Sequence, residues 1–201
     1  MEQTLKINPQ YSFAEYLALE ETEGCRYEYY RDKVIAMAGG SKNHNKIVRQ
    51  LSQLLDNHFG ARGCDVFQEN IKLEIEKEHY YFYPDLIVTC NEDDKTDHYY
   101  VRHPLLVVEV LSDSTNEYDN TVKLLRYISI PSLQYYIMVS QKEALVVVLS
   151  RQKDSALFTY AVYTGLDAKI EFSEVGLTIL IGDIYKQIDL GILPDRELLE
   201  L

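Results

Sequence analysis

The sequence is short of cysteine, of basic residues and of long apolar runs, and each shortage closes off a class of protein. Its three cysteines, Cys25, Cys64 and Cys90, stand 39 and 26 residues apart. They form no CxxC pair, and no histidine or cysteine lies at a spacing that suggests a zinc knuckle, so reduced thiols are expected. The longest apolar run, ALVVVL at 144–149, is far too short to cross a bilayer. The first residues, MEQTLKINPQ, have neither the basic start nor the apolar stretch of a signal peptide, so a soluble cytoplasmic protein without a membrane partner is expected. There is no Pro/Gly/Ser-rich linker and no repeat at a fixed period, which makes residues 1–201 read as a single domain. Lysine and arginine number 20 against 32 aspartates and glutamates, a formal net charge of -12. Such a chain repels phosphates at long range, which at first counts against a nucleic-acid partner.

What is present is enough for a folded core. Hydrophobic residues make up 46% of the 201 positions, so burial can offset the entropy of ordering the chain. Ser12 with Glu15 forms a capping box opening a short helix to Glu20, in which Phe13, Tyr16, Leu17 and Glu20 keep helical spacing. RYEYYRDKVIAMAGG reads as a β-hairpin turning at Arg31-Asp32-Lys33 and ending at Gly39-Gly40. Ile47, Leu51, Leu54, Leu55 and Phe59 mark an amphipathic helix over about 43–59, stopped by Gly60 and Gly63. Three strands are expected next, in DVFQENIKLEI, YYFYPDLIVTC and PLLVVEVLS, with NEDDKTDHYYVRH as a polar loop before the third. A second capping box, Ser114 with Glu117, opens a helix to about Ile128 with Tyr118, Val122, Leu125 and Ile128 on its core face. LQYYIMVS is a further strand, and ALVVVLS, ALFTYAVYTG and GLTILIGDIY suggest more strands and a terminal segment. Helix, three strands, helix and strand in that order predict a mixed α/β architecture with helices packed on a sheet.

Glu109 is the residue that most needs explaining. It is a lone carboxylate inside LLVVEVL, where an ionised group costs on the order of several kcal/mol unless it is compensated. The compensation is either a structural salt bridge or a metal ion or catalytic partner. Asp85 enters another apolar strand after Pro84. If the strands at 83–90 and 105–111 form a symmetric antiparallel pair, Asp85 falls opposite Val110, one step from Glu109. Two neighbouring carboxylates suit a hard divalent cation, Mg²⁺ or Mn²⁺, with calcium-type structural binding as the alternative. Lys123 lies on the following helix, within reach of the pair, or else is a solvated lysine paired with Asp119.

At these residues the sequence resembles the Uma-two group of restriction-endonuclease-like proteins, within the PD-(D/E)XK nuclease superfamily. The resemblance runs from RYEYYRDKVIAMAGGSKNHNKI through YPDLIV and LLVVEVLS to DNTVKLLRYISIPSLQYYIMV. Its most specific elements are Pro84-Asp85, Glu109 with Leu111-Ser112, and Lys123 with Tyr127 and Ile130-Pro131-Ser132-Leu133. It implies a restriction-endonuclease-like mixed β-sheet flanked by helices, with an N-terminal helix and hairpin and C-terminal strands. It also implies Mg²⁺- or Mn²⁺-dependent hydrolysis of phosphodiester bonds in nucleic acid, DNA being the expected substrate. By the resemblance Asp85 and Glu109 ligate the metal, and Lys123 orients water or neutralises charge on the phosphate. One departure is Leu111, where the superfamily pattern has lysine, so that Lys123 would have to supply the ammonium from the helix. A second is Lys33, at a hairpin-turn position where members of the group tend to carry glycine, a change expected to alter only the turn.

Glu28, in YEYY, matches a Tyr-Glu pair of the same group, although a strand glutamate facing water is the plainer reading. His44 opens the long helix and either touches the site or only starts the helix. Nucleases of this kind often cut two strands with two subunits, which makes a homodimer compatible with the resemblance, but no interface is identifiable. The alternative to an endonuclease is a non-cleaving binding or regulatory module, favoured by Leu111 and the acidic balance. Hydrolysis of a small phosphorylated substrate lacks a Gly-rich phosphate loop. The charge is also uneven: residues 31–63 hold six bases and two acids, so the rest of the chain carries a net -16. The hairpin and long helix are therefore the expected phosphate-facing surface, with a solvated helix face as the alternative.

Overall fold

Ser12 caps the first helix as expected: its hydroxyl oxygen accepts from the Glu15 amide while the Glu15 carboxylate accepts from the Ser12 amide. The structure is a computed structural model, which describes residues 10–37, 39–111 and 117–190, with the side chains of 117–120 left aside. Helix α1 (Phe13–Glu23) ends at Gly24, whose φ of 64° is the left-handed conformation a helix C-terminus favours. The hairpin continues the chain as β1 (Tyr27–Tyr30) and β2 (Lys33–Ala36), and α2 (Lys42–Phe59) is the long amphipathic helix.

The next two segments, each expected as one strand, are broken. The first divides into β3 (Asp65–Gln68) and β4 (Lys72–Glu76), with Glu69 and Asn70 between them at positive φ. The second divides into β5 (Tyr80–Phe82) and β6 (Leu86–Thr89), on either side of Tyr83-Pro84-Asp85. Proline has no amide to offer a ladder, which suits it to such a break. The expected loop at 91–103 contains a short helix α3 (Glu92–Thr96) and a two-residue strand β7 (Tyr100–Val101). Then come β8 (Pro104–Leu111), α4 (Glu117–Tyr127), β9 (Tyr135–Ser140), β10 (Leu145–Arg151), β11 (Phe158–Thr164), β12 (Lys169–Phe172), β13 (Leu177–Leu180) and the turn-like α5 (Ile181–Ile184). The capping serine expected at Ser114 lies outside the described residues.

These strands form two principal sheets and a small β12–β13 hairpin. The larger has the order β11-β10-β9-β8-β6-β3 and is antiparallel except for β8–β9, the pair that α4 connects. The smaller has the order β2-β1-β5-β4-β7. Both broken segments therefore pass from one sheet to the other. The large sheet is covered on both faces. On one, Ile47, Leu51 and Leu55 of α2 pack with Leu86, Val88, Leu106 and Val108, joined by Ile170, Phe172 and Ile179 of the small hairpin. On the other, Ile87 and Val107 pack with Tyr127 of α4 and Leu73 and Phe82 of the smaller sheet. A third cluster seats α1 on that sheet through Tyr16, Tyr29, Val34 and Tyr81. The core face of α4 is rotated from expectation: Leu125 is 57% exposed, whereas Tyr127 is fully buried and Leu124 and Ile128 pack beside it.

The expectation of three reduced thiols is overturned. Cys64, just before β3, and Cys90, just after β6, continue the antiparallel ladder that pairs Asp65 with Thr89, and they form a disulfide. Cys25 is free and exposed. Spacing along the chain gave no sign of a bridge that depends on which strands pair. Alkylation of the unreduced, denatured protein should label one cysteine, and three after reduction. Reduction should cost about 3 kcal/mol of stability, from the loop of 26 residues that the bridge closes. Three labels before reduction would contradict the pairing.

Candidate active site

The site is built where both sheets meet the first turns of α2 and the middle of α4. In β8 the residues alternate in direction: Leu106, Val108 and Val110 point towards α2, while Val107 points towards α4. Glu109, in step with Val107, therefore faces α4. The β6–β8 ladder pairs Leu86 with Val108 and Ile87 with Val107, so continuing it by one residue sets Asp85 level with Glu109. This is one position from the expected pairing with Val110. The Val110 amide is engaged all the same: it donates to Asp85 Oδ2 at 2.7 Å and fixes that carboxylate beside the strand.

Glu109 is compensated from α4. Tyr127 donates its hydroxyl to Glu109 Oε1 at 2.7 Å, and Lys123 Nζ stands 3.4 Å from the same oxygen. One helical turn separates Lys123 from Tyr127, which is why both reach one carboxylate. Lys123 also pairs with Glu28 Oε1 at 2.7 Å, and that oxygen accepts from the Tyr83 amide at 3.3 Å. Glu28 is only 6% exposed, so the plainer reading of a strand glutamate facing water does not hold. Its carboxylate is enclosed by Lys123 of α4 and the Tyr83 amide. His44, in the first turn of α2, places Nε2 3.1 Å from Asp85 Oδ1, so it reaches the site as well as starting the helix.

The five sequence-derived residues thus gather as two contact groups, His44 with Asp85 and Lys123 with Glu109 and Glu28, joined through the Val110 amide next to Glu109. Two kinds of group were missing from that set. Tyr127 was recognisable only as part of the family pattern, although its place four residues after Lys123 on a buried helix face was a usable signal. The Val110 and Tyr83 amides carry no side-chain signal at all.

Electrostatically the centre is strained towards neutrality. Burial lifts Glu109 to about 7, with the Lys123 ammonium pulling it back down and the neighbouring Asp85 and Glu28 charges adding to the rise. Lys123 is held well above its ordinary value: burial opposes its charge, but Glu109 and Glu28 outweigh burial. Its hydrogen bond to Asp85 raises His44. Among the described residues no three histidine, cysteine, aspartate or glutamate side chains cluster as a metal cage. The donor set offered is instead two carboxylates, which fits a hard cation that keeps several waters rather than a cage built wholly from protein.

A mixed sheet is broken so that Pro84-Asp85 stands beside Glu109, and Lys123 arrives from the next helix. Residues 13–175 match the family model Uma2, described as "Putative restriction endonuclease". The chain belongs to that family. It is 35% identical over 178 residues to the uncharacterized protein slr1290 of Synechocystis, covering 89% of this chain and 93% of that one. It is 38% identical over 130 residues to sll1609 of the same organism, covering 64% and 73%. The fold is shared with a crystal structure from Anabaena variabilis described as "a putative nuclease belonging to DUF820", with a TM-score of 0.69, 20% identity, and coverage of 87% of this chain and 97% of that one.

The Glu109 environment predicts a pH signature. The folded protein holds a proton on Glu109 up to about pH 7, whereas in the unfolded chain the carboxyl ionises near 4.5. Between those values the folded state binds more protons, so this group's contribution to stability falls as pH rises. Glu109→Gln does not titrate. Measured by denaturant unfolding in chelator, the stability of Glu109→Gln relative to wild type should increase from pH 4.5 to pH 7, by on the order of 1–3 kcal/mol. A difference that stays flat across that window would show that Glu109 ionises normally.

Proposed function

We propose that the protein is a divalent-metal-dependent endonuclease that hydrolyses phosphodiester bonds in DNA, with Asp85, Glu109 and Lys123 as its catalytic residues. The observation that carries this reading is the approach of the Lys123 ammonium to Glu109, 3.4 Å away, with Asp85 just before β6, where an extension of the β6–β8 ladder brings it level with Glu109. It would supply from α4 the ammonium that Leu111 cannot, which supports the endonuclease over the non-cleaving module.

Asp85 and Glu109 would hold Mg²⁺ or Mn²⁺, which when bound polarises the scissile phosphate and makes water more acidic. The Val110 amide and the Tyr127 hydroxyl each occupy one oxygen of these two carboxylates and so orient them. The water oxygen forms a new bond to phosphorus as the bond to the departing sugar oxygen breaks, and that oxygen takes up a proton. Charge accumulates on the non-bridging oxygens during this exchange, and the Lys123 ammonium is placed to stabilise it. Glu28 acts on Lys123 as a positioning residue: its 2.7 Å contact fixes the ammonium and keeps it protonated. His44 plays the corresponding part at Asp85.

Plasmid cleavage assays with Mg²⁺ or Mn²⁺ test the assignment. Asp85→Ala and Glu109→Ala should abolish cleavage, and Lys123→Ala should lower its rate by about 10²–10³, the range for removing one group that stabilises transition-state charge. Glu28→Gln should cause a smaller loss. Cleavage surviving Asp85→Ala in a clean preparation would refute the site. DNA binding without cleavage by the wild-type protein under both metals would identify the binding module instead.

A further inference from the structure

Helix α2 has a face that neither the core nor the catalytic residues use. Its buried side carries Ile47, Val48, Leu51 and Leu55. On the other side Lys42, Asn45, Lys46 and Arg49 recur at helical spacing as one stripe and, with Gly40 and Ser41, line an open hollow of about 470 Å³. The stripe carries three bases and no acid, in a protein whose net charge is -12. It is not a detached patch. A Cβ at Gly40 would lie 2.8 Å from His44 Nδ1, so the wall of the hollow rests against the imidazole whose Nε2 faces Asp85. One imidazole ring therefore separates the basic hollow from the carboxylate site. The helix end is also anchored: Lys46 Nζ donates to the Gln187 carbonyl at 3.0 Å and the Asn43 side-chain amide to the Asp189 carbonyl at 2.9 Å. Lys42 and Arg49 are exposed.

We propose that this stripe is the track for the sugar-phosphate backbone of duplex DNA flanking the bond presented to Asp85 and Glu109. The proposal rests on the reading of that site as a nuclease. Lys42 and Arg49 are seven residues apart, about 10 Å along the helix, far enough for them to meet different phosphates of one strand. A backbone running from the carboxylate pair over Gly40 would meet the three cations in succession. Glycine suits that passage, since a side chain there would press on His44. Charge complementarity selects the occupant, because the remainder of the chain, outside residues 31–63, carries a net -16 and repels a polyanion.

The test is fluorescence anisotropy with a labelled DNA duplex and Mg²⁺, in an Asp85→Asn background that keeps the duplex intact. Adding Lys42→Gln and Arg49→Gln should weaken binding about tenfold at 0.1 M salt and reduce the slope of log affinity against log salt by about 2, one for each phosphate no longer neutralised. Lys77→Gln with Lys153→Gln, at exposed positions away from the stripe, should leave both quantities unchanged. Equal affinity and slope in the two double variants would overturn the track, as would failure of the background protein to bind duplex. Neither result bears on the catalytic reading, which wild-type cleavage decides. An altered slope with no wild-type cleavage would keep the track and remove the nuclease.

Discussion

A carboxyl group cannot sit in the middle of a strand buried between a helix and a second sheet unless something is built around it, and much of this fold is what is built around Glu109. Burial alone pushes it towards protonation. Lys123 and Tyr127 counter this from consecutive turns of α4, which requires α4 to lie across β8. That placement comes from the parallel β8–β9 pair, since a parallel connection needs a crossover and here the crossover is α4. The smaller sheet is drawn in by the same demand, because Lys123 needs a second acid and Glu28 of β1 supplies it. Removing Lys123 would therefore leave two buried acids short of a partner, so the same residue matters for charge balance in the fold and for the proposed chemistry.

Tyr83 extends this constraint beyond the site. Its amide donates to Glu28, while its hydroxyl donates to Glu20 of α1 at 2.8 Å. Glu20 in turn pairs at 2.6 Å with Lys72, a buried lysine whose ammonium lies 4.7 Å from the centre of the Tyr16 ring and within 6 Å of Tyr81, Tyr83 and Tyr100. Desolvation lowers Lys72, and Glu20 and the ring faces provide the compensation. Four of the chain's 17 tyrosines thus form a box around a structural cation. Tyr83 is also the residue before Pro84-Asp85, so one residue joins the box under α1 to the segment that carries Asp85.

Much of this was legible in the sequence, and what was not has specific causes. The Ser12 cap, the α2 stripe and the neighbouring of Asp85 and Glu109 arise from local periodicity and hairpin symmetry, and the structure has all three. The breaks at Glu69-Asn70 and Tyr83-Asp85 were hidden because the residues on both sides are strand-like. Only the change of sheet distinguishes two short strands from one long one. The buried state of Glu28 was hidden for a related reason, since its ion partner, Lys123, lies on α4 far along the chain. The Cys64–Cys90 bridge likewise depends on β3 pairing with β6 rather than with its neighbour in sequence.

The acidic net charge takes on a different meaning once the charges are placed. Several of the acids are spent internally: Glu20, Glu28 and Glu109 on lysines, Glu74 and Asp97 on Arg102, and Asp94 on Thr89 Oγ1 and the amides of Arg102 and His103. Some of the bases are spent with them, so that an ion pair inside the fold leaves little field outside it. The stripe on α2 is different in kind, because Lys42 and Arg49 project into solvent from a helix whose other face is apolar. Coulomb interactions between exposed charges decay within about 10 Å at 0.1 M salt. A polyanion on α2 would consequently feel the three nearby cations far more than the distant acids, and the total of -12 governs its approach more than its seating.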